Sequence, residues 1–510
     1  MSPRIAVAAT GDQSLRAGLD VAAAGGNAVD AALAAAFVAL ATEPGLVSFG
    51  GGAFINVWPA AGDPVVVDGN VEMPGRGADP ERFGAGIREI WTDYGGGVTM
   101  HAGLGSAATP GAVPALALAH QDYARLPWER LLRPAIEAAH HGYPMSAASA
   151  RYLAFVADSL FGEDEEAHRL VTMPDGSLIP AGAITVNRNL AETLRELASE
   201  GPALFQVGAV ASALVDLMSG DLQTGGLITA ADLSAYTPVE RAAHVITAHD
   251  WQVAINPPPA IGGPMLAIML AELARRPRWS WADVIEVQQA TLAYRLREHD
   301  FSTDLERDGF ALLEATAEHR LDALRTSSAT VHVSAVDAEG TACAITMSSG
   351  YGAGMCIPGT GILLNNCLGE VELNRRGLHA LTPGTRLASN MAPTTGRTGD
   401  GRALAIGSPG ADRITTALML VLGHTCLHHL DVGMAIKLPR VHVRHTEEGF
   451  RVEHEPDADI AAAAAALGYP AHSYEGAHMY FGGVGAAQRN SDGTVQAAGD
   501  QRREASVGVA

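Results

Sequence analysis

Between Ala329 and Ser348 the sequence spells out a β-hairpin. Thr330–Asp337 places Thr330, His332 and Ser334 on one face and valines and alanine on the other. Asp337-Ala338-Glu339-Gly340 supplies a turn in which Gly340 can take φ > 0, and Thr341–Ser348 returns as a second strand. A further strand is predicted at Ala403–Gly407, and Pro393-Thr394-Thr395-Gly396 to Gly401 reads as a loop between strands. Upstream, Ala53–Trp58 and Pro64–Asp68 read as a strand pair, and the stretch from about 110 to 300 is mainly helical, as in Trp128 to Ala139 and Leu190 to Ala198. Residues 300 to 329 are charged and loosely periodic. Spacing alone supports a mixed α/β chain.

Charge narrows the partners. Against 34 Lys and Arg stand 56 Asp and Glu, a formal −22, so nucleic acid and anionic membrane are excluded as partners, since both need clustered positive charge. The apolar run near the N-terminus is too short for a secretory signal and reads as a first strand; Ala31 to Thr42 is too short to span a bilayer and reads as a buried helix. The expectation is a cytoplasmic protein. Cys343, Cys356, Cys367 and Cys426 form no C-x-x-C pair and read as buried thiols. His424, His428 and His429 fall in one apolar helix, but without the Glu of H-E-x-x-H they are not read as a metal site. No cofactor is expected. Gly50-Gly51-Gly52 precedes a strand rather than opening a helix, which argues against a phosphate loop.

A series of short blocks recurs in a fixed order. Gly25-Gly26-Asn27-Ala28-Val29-Asp30 opens a small-residue helix, followed by Glu43-Pro44, Gly50-Gly51-Gly52-Ala53-Phe54, Thr109-Pro110-Gly111 and Gly225-Gly226-Leu227-Ile228-Thr229. After Pro257-Pro258-Pro259 and the Thr330 strand come Gly359 to Asn366, Ser389-Asn390-Met391-Ala392-Pro393-Thr394 and Gly407 to Ile414. Each block is weak alone; in this order they resemble the γ-glutamyltranspeptidase family of N-terminal-nucleophile (Ntn) hydrolases, over residues 5 to 500.

The resemblance implies an α+β fold, a four-layer αββα sandwich formed by two fragments of one precursor. Cleavage between Ala329 and Thr330 would give fragments 1–329 and 330–510, one intertwined unit, and whether that heterodimer pairs further is left open. Thr330 would be the nucleophile. A threonine hydroxyl gains reactivity at a new N-terminus, because the free α-amine beside it serves as its base. Otherwise, a threonine opening a strand is simply a good strand residue. Ser348 falls where the family has a second hydroxyl near the nucleophile; the alternative is a solvent-facing strand residue. Gly410 and Ala411, in Pro409-Gly410-Ala411, match the turn whose main-chain N–H groups stabilise the oxyanion. Ser389 and Asn390 match a Ser-Ser pair that holds the substrate carboxylate, and Glu370 falls where the family has an aspartate for the substrate's α-amine.

The clearest departure is Val71. The family carries an arginine there, just before Glu72, which clamps the glutamyl α-carboxylate, and valine cannot replace a guanidinium–carboxylate pair. Arg386 and Arg413 lie nearby in sequence, with structural pairing as their expected use. The reading is an Ntn hydrolase that opens an amide or acyl bond in a small molecule other than an ordinary γ-glutamyl peptide. Three alternatives stand beside it: a C–C bond hydrolase of antibiotic biosynthesis, a true γ-glutamyltransferase or glutathione hydrolase, and an unprocessed binding protein.

Overall fold

The computed structural model describes residues 4–92, 97–276, 278–317, 330–503 and 505–510. Two antiparallel sheets lie face to face. The first has seven strands, in the order Ala505–Val509, Ile5–Thr10, Val331–Asp337, Ala342–Ser348, Gly52–Trp58, Val65–Gly69 and Val239–Ala242. The second has six, in the order Val495–Gly499, Gly485–Arg489, Ala403–Gly407, Thr394–Thr398, Trp251–Ile255 and His244–Ala248. Each sheet takes strands from both sides of Thr330, so neither side could build its sheet alone.

Helices cover the outer faces and complete four layers. Ala28–Thr42 lies against the first sheet with every residue buried, which suits its alanine-rich sequence: small side chains allow close approach on all sides. Asn27 starts it with a capping box, its side chain taking the Asp30 N–H while Asp30 takes the Asn27 N–H. Gly262–Ala274 and Arg413–Leu422 cover the second sheet, and Trp281–Arg297 packs on Gly262–Ala274. Among the described residues no single helix is long and apolar enough to cross a membrane.

Between the sheets, polar side chains are paired rather than excluded. Asn56 is fully buried; its Nδ2 donates to the Ala254 and Pro393 carbonyls at 2.8 and 3.0 Å, and its Oδ1 accepts from Thr395 Oγ1 at 2.9 Å. One side chain on the first sheet thus stitches two strands of the second.

The hairpin, the first strand, the buried helix, the Gly340 turn (φ 96°) and the four buried free thiols agree with the sequence reading. Three readings need correction. Thr394–Thr398 is a strand paired with Ala403–Gly407, not a loop. Its Gly396 makes room for the Trp251 ring, so the glycine that signalled a loop serves packing. The region assigned mainly to helix contains the strands Val239–Ala242, His244–Ala248 and Trp251–Ile255. Finally, the α-helix before His424 ends at Leu422 and continues as a π-turn, Gly423–Leu427. His429 therefore lies outside it, at φ 56°, with its ring 4.7 Å from that of His249, while His424 and His428 pack on Trp279.

Asn56→Ala should lower the unfolding free energy by about 2–4 kcal/mol, because two buried carbonyls and a hydroxyl lose their partner at once. Denaturant unfolding checks this; a loss within ~0.5 kcal/mol, as for an ordinary surface change, would remove the stitch from the account of the sandwich.

Candidate active site

Thr330 stands one residue before the first ladder pair of its strand, Val331 opposite Met347, so continuing the register sets it across from Ser348. Residues opposite each other in an antiparallel pair share a face. That face is the inner one, because two residues further on His332 packs against the second sheet. A Cβ on Gly407 would lie 2.2 Å from the His332 ring, so only glycine fits at that crossing. The His332 Nδ1 lies 2.9 Å from Thr346 Oγ1 and its Nε2 2.7 Å from Ser334 Oγ. Burial pushes its pKa down to about 3, so the ring is neutral and serves as a hydrogen-bonded spacer rather than a base.

A small cleft opens at this end of the strand, lined by Thr330, Ser348, Val71, Glu370, Ser389 and Asn390 together with Asn70, Cys367, Leu373, Ala388 and Met391. Six of the residues singled out from sequence thus line one cleft. The Ser348 Oγ accepts from the Gly350 N–H at 3.1 Å, which ties the strand end to the next turn. The glycine block at 50–52 makes this approach possible, since a Cβ on Gly51 would fall 2.4 Å from the Ser348 carbonyl oxygen. Asn365 fastens the far side, its Nδ2 donating to Gly50 O at 2.7 Å and Ala108 O at 2.8 Å.

Gly410 and Ala411 do not line this cleft. They follow the strand Ala403–Gly407, which crosses the Thr330 strand at Gly407 and His332. Both have positive φ, 126° and 67°, and Ala411 is one of few non-glycine residues of the chain so placed. Among the described residues neither N–H donates to a partner, and both residues are buried. Ala329 lies outside the described residues.

The charges are arranged against a free carboxylate clamp. Arg386 Nη1 donates to Glu72 Oε1 at 2.6 Å, its Nη2 donates to the Thr237 carbonyl at 2.7 Å, and its guanidinium lies 4.5 Å from the Tyr236 ring centre. Arg413 pairs with Asp412 and donates to the Tyr480 carbonyl at 2.9 Å. Both arginines are held by structural partners, as expected. Glu370 is 3% exposed, and burial, reinforced by the charge of Glu372, raises its pKa well above the usual carboxylate range. Two residues that sequence reasoning missed also bear on the site. Cys367 lies in the wall beside Glu370, and Arg295 donates from its Nη1 to Asn390 Oδ1 at 2.7 Å. No sequence signal marks Arg295, which stands near the end of a helix beside Arg297, Glu298, His299 and Asp300.

The family model "Gamma-glutamyltranspeptidase" matches residues 15–510. The chain belongs to the gamma-glutamyltranspeptidase family. A glutathione hydrolase proenzyme of Pseudomonas aeruginosa is 30% identical over 86% of this chain and 82% of its own length. An acylase ACY 1 proenzyme of Pseudomonas sp. (strain SE83) is 27% identical over 94% and 89%. The crystal structure of a cephalosporin acylase from Bacillus halodurans superposes with a TM-score of 0.81 at 24% identity, covering 99% of this chain and 96% of that one. This family member is an enzyme, an Ntn hydrolase of the αββα class. The family match leaves the choice of acyl group to the side chains of the cleft.

Glu370 carries a pH prediction. Its folded pKa is raised, so between the unfolded value, ~4.3, and the folded one the native state holds a proton that the unfolded state has released. Stability then falls as pH rises, by up to about 1.4 kcal/mol per pH unit. Glu370→Gln removes that slope. The Tm of Glu370→Gln minus that of wild type should grow as pH rises through this window, and parallel Tm curves would show that Glu370 is not held protonated.

Proposed function

We propose that this chain matures by opening the Ala329–Thr330 peptide bond and then uses Thr330 to hydrolyse an amide or related acyl bond in a small molecule whose acyl group is not γ-glutamyl. In the first step the Thr330 hydroxyl adds to the Ala329 carbonyl, nitrogen departs as the new α-amine, and water opens the resulting ester. In turnover the α-amine, with a pKa near ~8, takes the hydroxyl proton as Oγ attacks the substrate carbonyl. The proton passes to the leaving nitrogen, and water hydrolyses the acyl-threonine. Ser348, opposite Thr330, is suited to orient the amine, and the Gly410 and Ala411 N–H groups to receive the oxyanion, each such donor being worth roughly 3–4 kcal/mol of barrier.

The observation that carries the change of substrate is Val71 in the wall of the Thr330 cleft, which no arginine among the described residues lines. Arg386 is held by Glu72, and Arg413 by Asp412 and Tyr480. Glu370 supports the same reading. Burial and the nearby Glu372 charge raise its pKa, which weakens its pairing with an α-ammonium.

Two measurements test this reading. Purified protein should run as two bands, and N-terminal sequencing of the smaller should read Thr-Val-His-Val-Ser, while Thr330→Ala stays full length and inactive. An intact wild type that still turns over substrate would rule out the Ntn mechanism for this chain. For specificity, kcat/KM on a γ-glutamyl anilide should be low, since a desolvated carboxylate clamp contributes roughly 2–5 kcal/mol, about 30- to 5000-fold in binding. Val71→Arg should recover part of it. Efficient wild-type turnover of that anilide would identify a γ-glutamyl enzyme instead.

A further inference from the structure

The hairpin formed by His244–Ala248 and Trp251–Ile255 turns on two residues, His249 and Asp250, because Ala248 pairs with Trp251. Where the first residue of such a turn takes positive φ, glycine is the ordinary choice. Here it is His249, at φ 57°. The same exchange recurs in another part of the chain. A helix that closes on a left-handed residue ordinarily uses glycine there. The chain leaves the π-turn Gly423–Leu427 through His429, at φ 56°, with the Leu430 N–H donating back to the His424 carbonyl at 3.0 Å. Left-handed backbone is costly for any residue with a Cβ. Two such positions, far apart in sequence, each hold a histidine, and the two rings meet with their centres 4.7 Å apart and their planes at 80°.

Asp250 completes the group. Its Oδ1 lies 3.5 Å from His249 Nδ1, while its Oδ2 accepts from Arg402. Arg402 is itself held, its Nε donating to Asp400 at 3.1 Å and its guanidinium lying 5.2 Å from the Trp251 ring centre. One carboxylate oxygen is thus fixed by a guanidinium and the other is turned to His249. Groups that bind metals are commonly steadied from behind in this way. One ligand atom from each of His249, Asp250 and His429 lies within 4.8 Å of the others, and all three side chains are exposed. Zinc takes imidazole nitrogen and carboxylate oxygen at ~2.1 Å, so small rotations of exposed side chains bring the three onto one ion. The neighbouring histidines are engaged elsewhere: His424 and His428 lie on Trp279, with ring centres 4.7 and 4.5 Å from it.

We propose that His249, Asp250 and His429 bind a divalent transition metal ion of the zinc type, which pins the free edge of the second sheet to the helix layer that covers it. Two imidazoles and one carboxylate suit such an ion better than magnesium or calcium, which take oxygen ligands. Water completes the coordination. His244–Ala248 is the last strand of its sheet, so one side of it has no strand partner. A metal at the tip of its hairpin ties that edge to the segment that follows the helix Arg413–Leu422. The Arg402 charge opposes a nearby cation, and its pairing with Asp400 as well as Asp250 offsets this. None of the three ligands lines the Thr330 cleft, so the ion serves the fold and not the reaction.

The test uses the mature protein, free of any purification tag, stripped with a chelator and dialysed. Calorimetric titration with ZnCl₂ should show one site per chain, and zinc should raise the Tm, since an ion bound only by the native state stabilises it. Losing a partner behind a metal ligand already costs about 10- to 100-fold in affinity, so His249→Gly, His429→Gly and Asp250→Asn should each weaken zinc binding by about tenfold or more. Glycine suits both left-handed positions, so the two histidine variants keep the fold, and zinc should no longer raise their Tm. His428→Ala removes a histidine of the same region but no ligand, and should bind zinc as wild type does. Magnesium chloride should not displace the zinc. No zinc binding up to about 1 mM would overturn the proposal. So would binding that is unchanged in both glycine variants, that depends on His428 instead, or that magnesium displaces.

Discussion

A neutral histidine clamped between two sheets sets the geometry on which the rest of the site depends. His332 is held on its own sheet by Ser334 and Thr346 and pressed on Gly407 of the other. A strand slipped by one residue exchanges its two faces. In such a slip His332 would leave the interlayer and its apolar neighbours would enter, with Thr330 carried to the outer face together with His332. The crossing that fixes register therefore fixes which face Thr330 presents. It also ties the strand that ends in Pro409-Gly410-Ala411 to the strand that begins at Thr330. Candidate nucleophile and candidate oxyanion donors are positioned by one contact, although they lie some eighty residues apart in sequence.

The parts of this arrangement legible in the sequence are those written in local pattern. The hairpin 330–348 has strict alternation and a turn glycine, and the Ala28–Thr42 helix is one alanine-rich run, so both were read with near-correct ends. The residues gathered in the cleft were legible only through the order of blocks, because Val71, Thr330, Glu370 and Asn390 share no local signal. What failed has a physical cause. Thr394–Thr398 is polar and contains a glycine, yet it is largely buried, because the Thr395 hydroxyl donates to Asn56 of the facing sheet, the Thr394 hydroxyl to the Ala392 carbonyl and the Thr398 hydroxyl to Asp400, while Gly396 makes room for Trp251 on the neighbouring strand. The hairpin His244–Ile255 turns on His249, a non-glycine residue at φ 57°, and carries none of the usual Asn-Gly signal. Arg295 was missed because its meaning lies in a hydrogen bond to a residue 95 positions away.

Burial acts on the charged groups of the cleft in opposite ways. Glu370 has lost water and gained a like charge nearby, so it gives up its own charge. Arg295 cannot give up its charge at any ordinary pH, so it must be placed where a carboxylate and an amide oxygen can face it. A cleft built by such rules ends with no exposed anion, whatever acyl group it accepts. Valine at position 71 fits that environment, because an apolar side chain there asks for no partner.

Chemistry and specificity therefore depend on different layers of the structure. The reacting end is assembled from register, glycine contacts and main-chain N–H groups, which single side-chain changes alter little. The acyl end is assembled from side chains on three separate segments, around Val71, Glu370 and Asn390, each of which can change without moving a strand. A family built on this plan can keep one reaction while its members exchange substrates. In this chain valine stands in the cleft wall at position 71, and a buried guanidinium, Arg295, stands behind Asn390.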